Sequence, residues 1–88
     1  MTYLIQIPSS LPNDQTYVAR SGERIRVSEP SKLKTHPWFA FSNEDDARLA
    51  LIEATNTLRL KPTQGAFTVE YKLSLIQRLH QARIINIT

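Results

Sequence analysis

Arginine and tyrosine side chains are concentrated in residues 15–29, QTYVARSGERIRVSE. Guanidinium groups form paired hydrogen bonds with phosphate, and a tyrosine ring provides a surface on which a base can stack. Both residue types are also enriched at contacts between proteins. A cation over a ring equally stabilises an ordinary exposed hairpin, by about 0.5–1 kcal/mol. The stretch is therefore either a binding surface for an acidic partner or a plain exposed ribbon.

The elements predicted to position these side chains are two strands joined at Ser21-Gly22. Glycine in a tight turn between two strand-like runs is typical of a β-hairpin. A two-residue turn at this point pairs Tyr17 with Arg26 and Ala19 with Arg24. Because cross-strand partners share a face, Tyr17 and the two arginines would lie on the exposed side of the ribbon. The core side would then hold Thr16, Val18, Ile25 and Val27.

Two segments near the ends of the sequence also have the composition of strands. Residues 2–7, TYLIQI, combine β-branched and aromatic side chains. This run stops at Pro8, where proline, serine and asparagine predict a loop over residues 8–14. Residues 84–88, IINIT, are rich in β-branched side chains and predict a short edge strand.

The aromatic segment WFAF, residues 38–41, predicts a further strand. It is apolar on both faces, with Trp38 and Ala40 pointing one way and Phe39 and Phe41 the other. A strand that is apolar on both faces belongs at the centre of a sheet with both sides covered. We therefore expect it to lie under the first helix.

The first predicted helix spans residues 42–60 and begins at an N-cap, which is either Ser42 or Asn43. Three acidic residues follow in the first turn, where the helix dipole is positive, so they need no metal or catalytic role. One apolar stripe is narrow and suited to packing on a sheet: Ala47, Ala50, Leu51, Ala54 and Leu58. Leu49, Ile52 and Leu60 lie on another side, and either the second helix, a protein partner or a second copy in a homodimer would cover them.

The second predicted helix spans residues 68–84, after a breaker at 61–67 that contains Pro62 and Gly65. The breaker is longer than the three- to four-residue turn of a helix-turn-helix, so that motif is disfavoured. Cations at the end of the helix complement its dipole. Its apolar face is wide: Val69, Leu73, Leu75, Ile76, Leu79 and Ala82.

These elements predict one α+β domain over residues 1–88. A mainly antiparallel sheet of three to five strands comes from the N-terminal half, and the two C-terminal helices pack on one of its faces. The open face would expose the arginine ribbon. No repeat, low-complexity segment or second domain is indicated by 88 residues of ordinary composition.

The sequence offers little that could perform catalysis. Cysteine is absent, which excludes disulfides, thiolate metal sites and cysteine nucleophiles. No glycine-rich phosphate loop, nucleophile elbow or zinc-protease motif is present. His36 and His80 lack a carboxylate or nucleophile at motif spacing. No apolar run approaches the ~20 residues of a membrane span, and no signal peptide is visible. We therefore expect a cytoplasmic protein that is not an enzyme, with no cofactor, no metal and no membrane partner.

Two hypotheses of function follow from this composition and a net charge of +3. The first is a non-catalytic binding protein that docks on a larger protein or nucleoprotein complex and regulates or inhibits it, as a bacterial or phage accessory protein would. The alternative is a nucleic-acid-binding module that uses the ribbon and the basic C-terminal helix. The candidate binding residues are the same for both: Tyr17, Arg20, Arg24, Arg26, Lys32, Lys34, Arg78 and Arg83.

Overall fold

The structure is a computed structural model that describes residues 1–8 and 14–88. Residues 9–13, most of the predicted loop after Pro8, lie outside the described part. The strands are β1 (Tyr3–Ile7), β2 (Gln15–Val18), β3 (Arg24–Val27) and β4 (Arg83–Asn86), and the helices are a 3-10 turn (Pro30–Leu33), α1 (Glu44–Leu60) and α2 (Val69–His80).

The four strands form one antiparallel sheet in the order β3-β2-β1-β4. The N-terminal half supplies three strands, and the C-terminal segment adds β4 at the edge beside β1. Both helices lie on one face of the sheet, so the predicted α+β arrangement is confirmed. The short edge strand predicted near the end of the sequence is confirmed as β4.

The helix-bearing face of the sheet is packed through small side chains. Ile5 and Ile7 of β1 contact a stripe of alanines on α1, which lets the helix backbone approach the sheet closely. Leu75 and Leu79 of α2 are also buried. The predicted α1 stripe is thus confirmed, with these members: Ala47, Ala50 and Ala54, flanked by Leu51 and Leu58.

The other face of the sheet is also covered, by the segment that contains the 3-10 turn. Leu33 and Phe39 from this segment pack on Leu4 and Tyr17. Leu4 to Ile7 of β1 are all buried, as expected for a central strand with both faces covered.

A line of polar contacts crosses three strands on this second face. Tyr17 and Gln6 are directly opposed, and Gln6 Nε2 donates to the Tyr17 hydroxyl at 3.1 Å. Arg83 Nε donates in turn to Gln6 Oε1 at 2.9 Å. Because a buried polar group is costly when unpaired, these bonds permit a glutamine and a tyrosine hydroxyl in the interior.

The hairpin between β2 and β3 has a different register from the predicted one. Ala19 pairs with Glu23 through a 2.8 Å hydrogen bond, so the loop has three residues, not two. Gly22 occupies the last loop position with φ of +90°, which an L side chain rarely adopts. Tyr17 therefore faces Ile25, and Val18 faces Arg24. The predicted exposure of Tyr17 is wrong, since its side chain is 0% exposed.

The prediction of a strand over residues 38–41 is also wrong. The amides of Phe39 and Ala40 both donate to the His36 carbonyl, so the chain turns here instead of extending. Phe41 alone pairs with Tyr3 as an isolated bridge. Phe39 and Phe41 belong to clusters on opposite faces of the sheet, and Trp38 is exposed.

The helix ends follow local capping chemistry. Asn43 is the N-cap of α1, and its side-chain oxygen accepts from the Asp46 amide at 2.8 Å. Thr68 caps α2 in the same way. α2 ends at His80, earlier than predicted, because the chain turns there into β4. Val69 and Leu73, expected on its buried face, are exposed.

Candidate functional site

The one-residue change in register moves two arginines to the helix-bearing face. Arg24 and Arg26 lie opposite Val18 and Thr16, and Val18 belongs to the core under the helices. Because α1 packs against β1 and β4, the β2-β3 half of this face is left less covered. The two arginines therefore stand beside α2, on the sheet wall of a recess.

This recess, which we call the basic groove, lies between the β2-β3 hairpin and α2. Its volume is about 710 Å³, within the ~300–1,000 Å³ typical of ligand sites. Four cationic side chains and one carboxylate line it. The charged and aromatic residues of its lining are Glu23, Arg24, Arg26, Lys61, Tyr71 and Arg78.

Tyr71 joins the two walls of the basic groove. Arg24 Nη2 donates to its hydroxyl oxygen at 3.2 Å. This hydrogen bond and the charge of Arg24 lower the pKa of Tyr71 below tyrosine's ordinary 10.0, against the opposing effect of burial. The charges of Arg78 and Lys61 lower it further. Three cations from three elements thus act on one hydroxyl.

The cations of the basic groove form no ion pair with a described carboxylate. Within residues 1–8 and 14–88 the single ion pair joins Arg48 to Glu44, on the exposed side of α1. Residues 9–13 contain no acid. Arg78 Nη2 donates to the Pro8 carbonyl at 3.1 Å, which orients the guanidinium without cancelling its charge. The four cations of the groove outnumber its one carboxylate, Glu23, and are therefore available to an external anion.

One end of the basic groove opens into an apolar recess of about 350 Å³. The ring of Phe67 packs edge-on against Tyr71, with 5.8 Å between centroids. Lys61 Nζ lies 4.6 Å from the centre of the Phe67 ring. Leucines of both helices complete the recess: Leu58, Leu75 and Leu79. A planar apolar group could enter here while its charged part contacts the arginines.

This arrangement is suited to binding an anion that carries an apolar group. Guanidinium groups bind phosphate and carboxylate with paired hydrogen bonds. Among the described residues no cluster of three or more histidines and carboxylates could hold a metal ion.

The other predicted binding residues lie away from the basic groove. Tyr17 is buried under the 3-10 segment, so it cannot contact a partner. Arg20 lies in the hairpin loop with its guanidinium 4.5 Å from the centre of the Phe41 ring. Lys32 and Lys34 belong to the 3-10 segment on the opposite face, and Arg83 is bonded to Gln6 on that face. The structure thus brings together Arg24, Arg26 and Arg78 only.

Two residues of the groove, Lys61 and Tyr71, were not predicted from the sequence. Lys61 is the C-cap of α1, and Tyr71 lies in the first turn of α2. One signal could have found Tyr71. It is seven residues, about two helical turns, before Arg78, so both lie on one side of α2.

Comparisons of the chain with protein-family models, curated proteins and solved structures found no match. In the part of the chain that the structure describes, neither helix has the length and apolar character needed to cross a membrane.

Proposed function

We propose that this protein is a non-catalytic binding protein whose basic groove holds a single-stranded nucleic acid. The observation that carries the proposal is the convergence of Arg24, Arg26, Lys61 and Arg78 on one recess without an ion-pair partner in the described residues. Such a surface attracts phosphates through release of their counterions. Among the described residues the groove is lined by no histidine and by one carboxylate, Glu23, which supports binding over catalysis.

The shape of the site favours a single strand over a duplex. Reading a duplex requires an element that protrudes into a DNA groove. Here the cations line a concave surface between a hairpin and a helix. An unpaired base can leave the backbone and enter the recess beside Phe67 and Tyr71, where ring stacking is worth about 1–3 kcal/mol per base. A paired base in a duplex cannot do this.

The test is fluorescence anisotropy with labelled single-stranded DNA, single-stranded RNA and a duplex of the same sequence. Each titration is run at low and near-physiological salt, and a polyglutamate peptide of similar charge serves as a second anion. We expect single strands to bind more tightly than the duplex and the peptide. Affinity should fall steeply with salt, with a logarithmic slope of about 0.7 for each phosphate contact.

The outcomes separate the classes of ligand. Tighter binding of polyglutamate than of single strands would replace nucleic acid by an acidic protein segment as the occupant of the groove. Tighter binding of the duplex would contradict the role given to the apolar recess. Absence of binding to every anion at low salt would refute the groove as a binding site.

Docking on a larger protein, which the protein would regulate or inhibit by covering it, is a second candidate. It is supported by Val69 and Leu73, which are exposed and one turn apart on α2. Binding through an apolar surface should change little with salt, unlike phosphate binding. The double substitution Val69→Lys with Leu73→Lys should abolish such docking and leave anion binding in place.

A further inference from the structure

The outer edge of β4 is free to pair with another strand. β4 bonds to β1 on one side, and no described strand lies on its other side. The Ile87 amide donates to the Thr2 carbonyl at 2.9 Å, continuing this ladder. Because bonding alternates along an antiparallel pair, Ile84 and Asn86 point their backbone groups outward.

The two edges of the sheet differ in their protection. β3, at the opposite edge, carries Arg24 and Arg26, and charges of this kind discourage pairing between sheets. β4 has one cation, at its first position, and neither a proline nor a glycine within Arg83–Asn86. By the usual criteria for sheet edges, β4 is an edge open to strand addition.

A groove of about 490 Å³ runs beside this open edge, with an apolar floor and two arginines, Arg48 and Arg83, at its margin. Leu51 and Ile52 of α1 form one wall, and Ala82 and Ile84 form the other. Ile52 is 57% exposed. An added strand would thus gain backbone bonds from β4 and apolar contacts from α1.

We propose that a second copy of this chain occupies this edge and forms a two-fold symmetric dimer. The β4 strands pair antiparallel about Ile85, so that Ile84 of one copy bonds with Asn86 of the other. The two sheets become one sheet of eight strands, four from each copy. A two-fold contact of this type requires a surface that complements itself.

The charges along α1 supply that self-complementarity. Ile52 is the central residue of Glu44–Leu60, so a two-fold axis beside it sets two α1 helices antiparallel with their ends opposed. The acidic first turn of one copy then faces the basic last turn of the other, which contains Arg59. Opposite charges at each end fix this alignment and disfavour the parallel one.

The dimer is tested by measuring mass in solution by sedimentation from micromolar to millimolar concentration. We expect twice the chain mass of 10.1 kDa at the upper end. Ile52→Lys should weaken association at least about tenfold, since it buries a charge at the axis. Leu73→Lys is the matched control, because Leu73 is 59% exposed on α2, away from the edge, and should leave association unchanged.

A second variant separates strand pairing from contact between helices alone. Asn86→Pro removes an outward-pointing amide that β1 does not use, and should weaken the dimer as Ile52→Lys does. A native protein that stays monomeric at millimolar concentration would overturn the proposal. Equal weakening by Leu73→Lys would also overturn it. If Ile52→Lys dissociates the dimer but a folded Asn86→Pro variant remains dimeric, the helices make the contact and the proposed pairing of β4 is overturned.

Discussion

Arg24 on β3 donates a hydrogen bond to the hydroxyl oxygen of Tyr71 on α2, with 3.2 Å between Nη2 and Oη. The bond spans the basic groove from its sheet wall to its helix wall. An anion that enters the groove must therefore share the guanidinium with this hydroxyl or displace it. The same two residues therefore link the two walls of the groove to the ligand that we propose.

Removing the two sheet-wall arginines should abolish most of the binding without unfolding the protein. Arg24→Ala with Arg26→Ala deletes two phosphate contacts, so the salt slope should fall by about 0.7 for each. Exposed substitutions of this kind usually change the free energy of unfolding by no more than about 0.5 kcal/mol. The control is Lys32→Ala with Lys34→Ala, which removes the same charge from the opposite face. Equal losses of affinity in both double variants would place the ligand elsewhere.

The ionisation of Tyr71 should depend on Arg24. The Arg24 hydrogen bond and charge hold the pKa of Tyr71 below its ordinary value, so the ionised form is favoured in the folded state. This contribution to stability is fully present above the unfolded pKa of 10.0 and is lost as pH falls through the lowered folded pKa. An ultraviolet titration, compared with Tyr71→Phe to isolate this ring, should show Arg24→Ala raising the pKa.

Inorganic phosphate provides a further check on the same titration. A bound phosphate partly neutralises the cations around Tyr71, so its pKa should rise when phosphate is added. Sodium chloride at equal ionic strength is the control for screening. A pKa that moves equally with both salts would argue against phosphate binding beside this hydroxyl.

Tyr17→Phe should destabilise the fold by roughly 1–3 kcal/mol. The substitution removes the oxygen that accepts from Gln6 Nε2 and leaves a buried donor unpaired. Urea denaturation followed by circular dichroism measures the loss. Tyr71→Phe is the matched control, since its ring is exposed and the change should stay within about 0.5 kcal/mol. Equal small effects would contradict the burial of Tyr17 and its hydrogen bond with Gln6.

Asn43→Ala should lower the free energy of unfolding by about 0.5–2 kcal/mol, the usual cost of losing an N-cap. Asn43 accepts from the Asp46 amide and also donates through Nδ2 to the Asp46 carboxylate at 3.0 Å. Ser42→Ala is the control, because Ser42 precedes the cap. A larger loss of stability from Ser42→Ala than from Asn43→Ala would show that Asn43 is not the N-cap.

The sequence alone predicts the elements whose signals are local. The acidic first turn, the alanine stripe of α1 and the α+β order follow from periodicity and capping, which depend on neighbours along the chain. The register of the hairpin did not follow, because a glycine at position 22 suits both a two-residue and a three-residue loop. That single residue of difference turned Arg24 towards the helices. Tyr17 is buried for a separate reason, because Leu33 and Phe39 cover its face of the sheet.

Only part of the candidate site was predicted, because the other part depends on how distant elements pack. Arg24, Arg26 and Arg78 were chosen for their charge, which the sequence displays directly. Lys61 and Tyr71 join them only because α2 packs beside the hairpin, an arrangement that no local pattern encodes. The turn at His36 was hidden in the same way, since an aromatic run alone does not distinguish a strand from a segment folded over a sheet.

The pairing of β1 with β4 has a consequence for the order in which the fold can form during synthesis. β1 is made first among the strands, but its neighbour on one side is made last, after both helices. A contact between such distant segments carries a large loop-closure cost and slows folding. Until β4 leaves the ribosome, the backbone of β1 facing it has no partner, and the nascent sheet exposes an edge that a chaperone or a neighbouring chain could occupy.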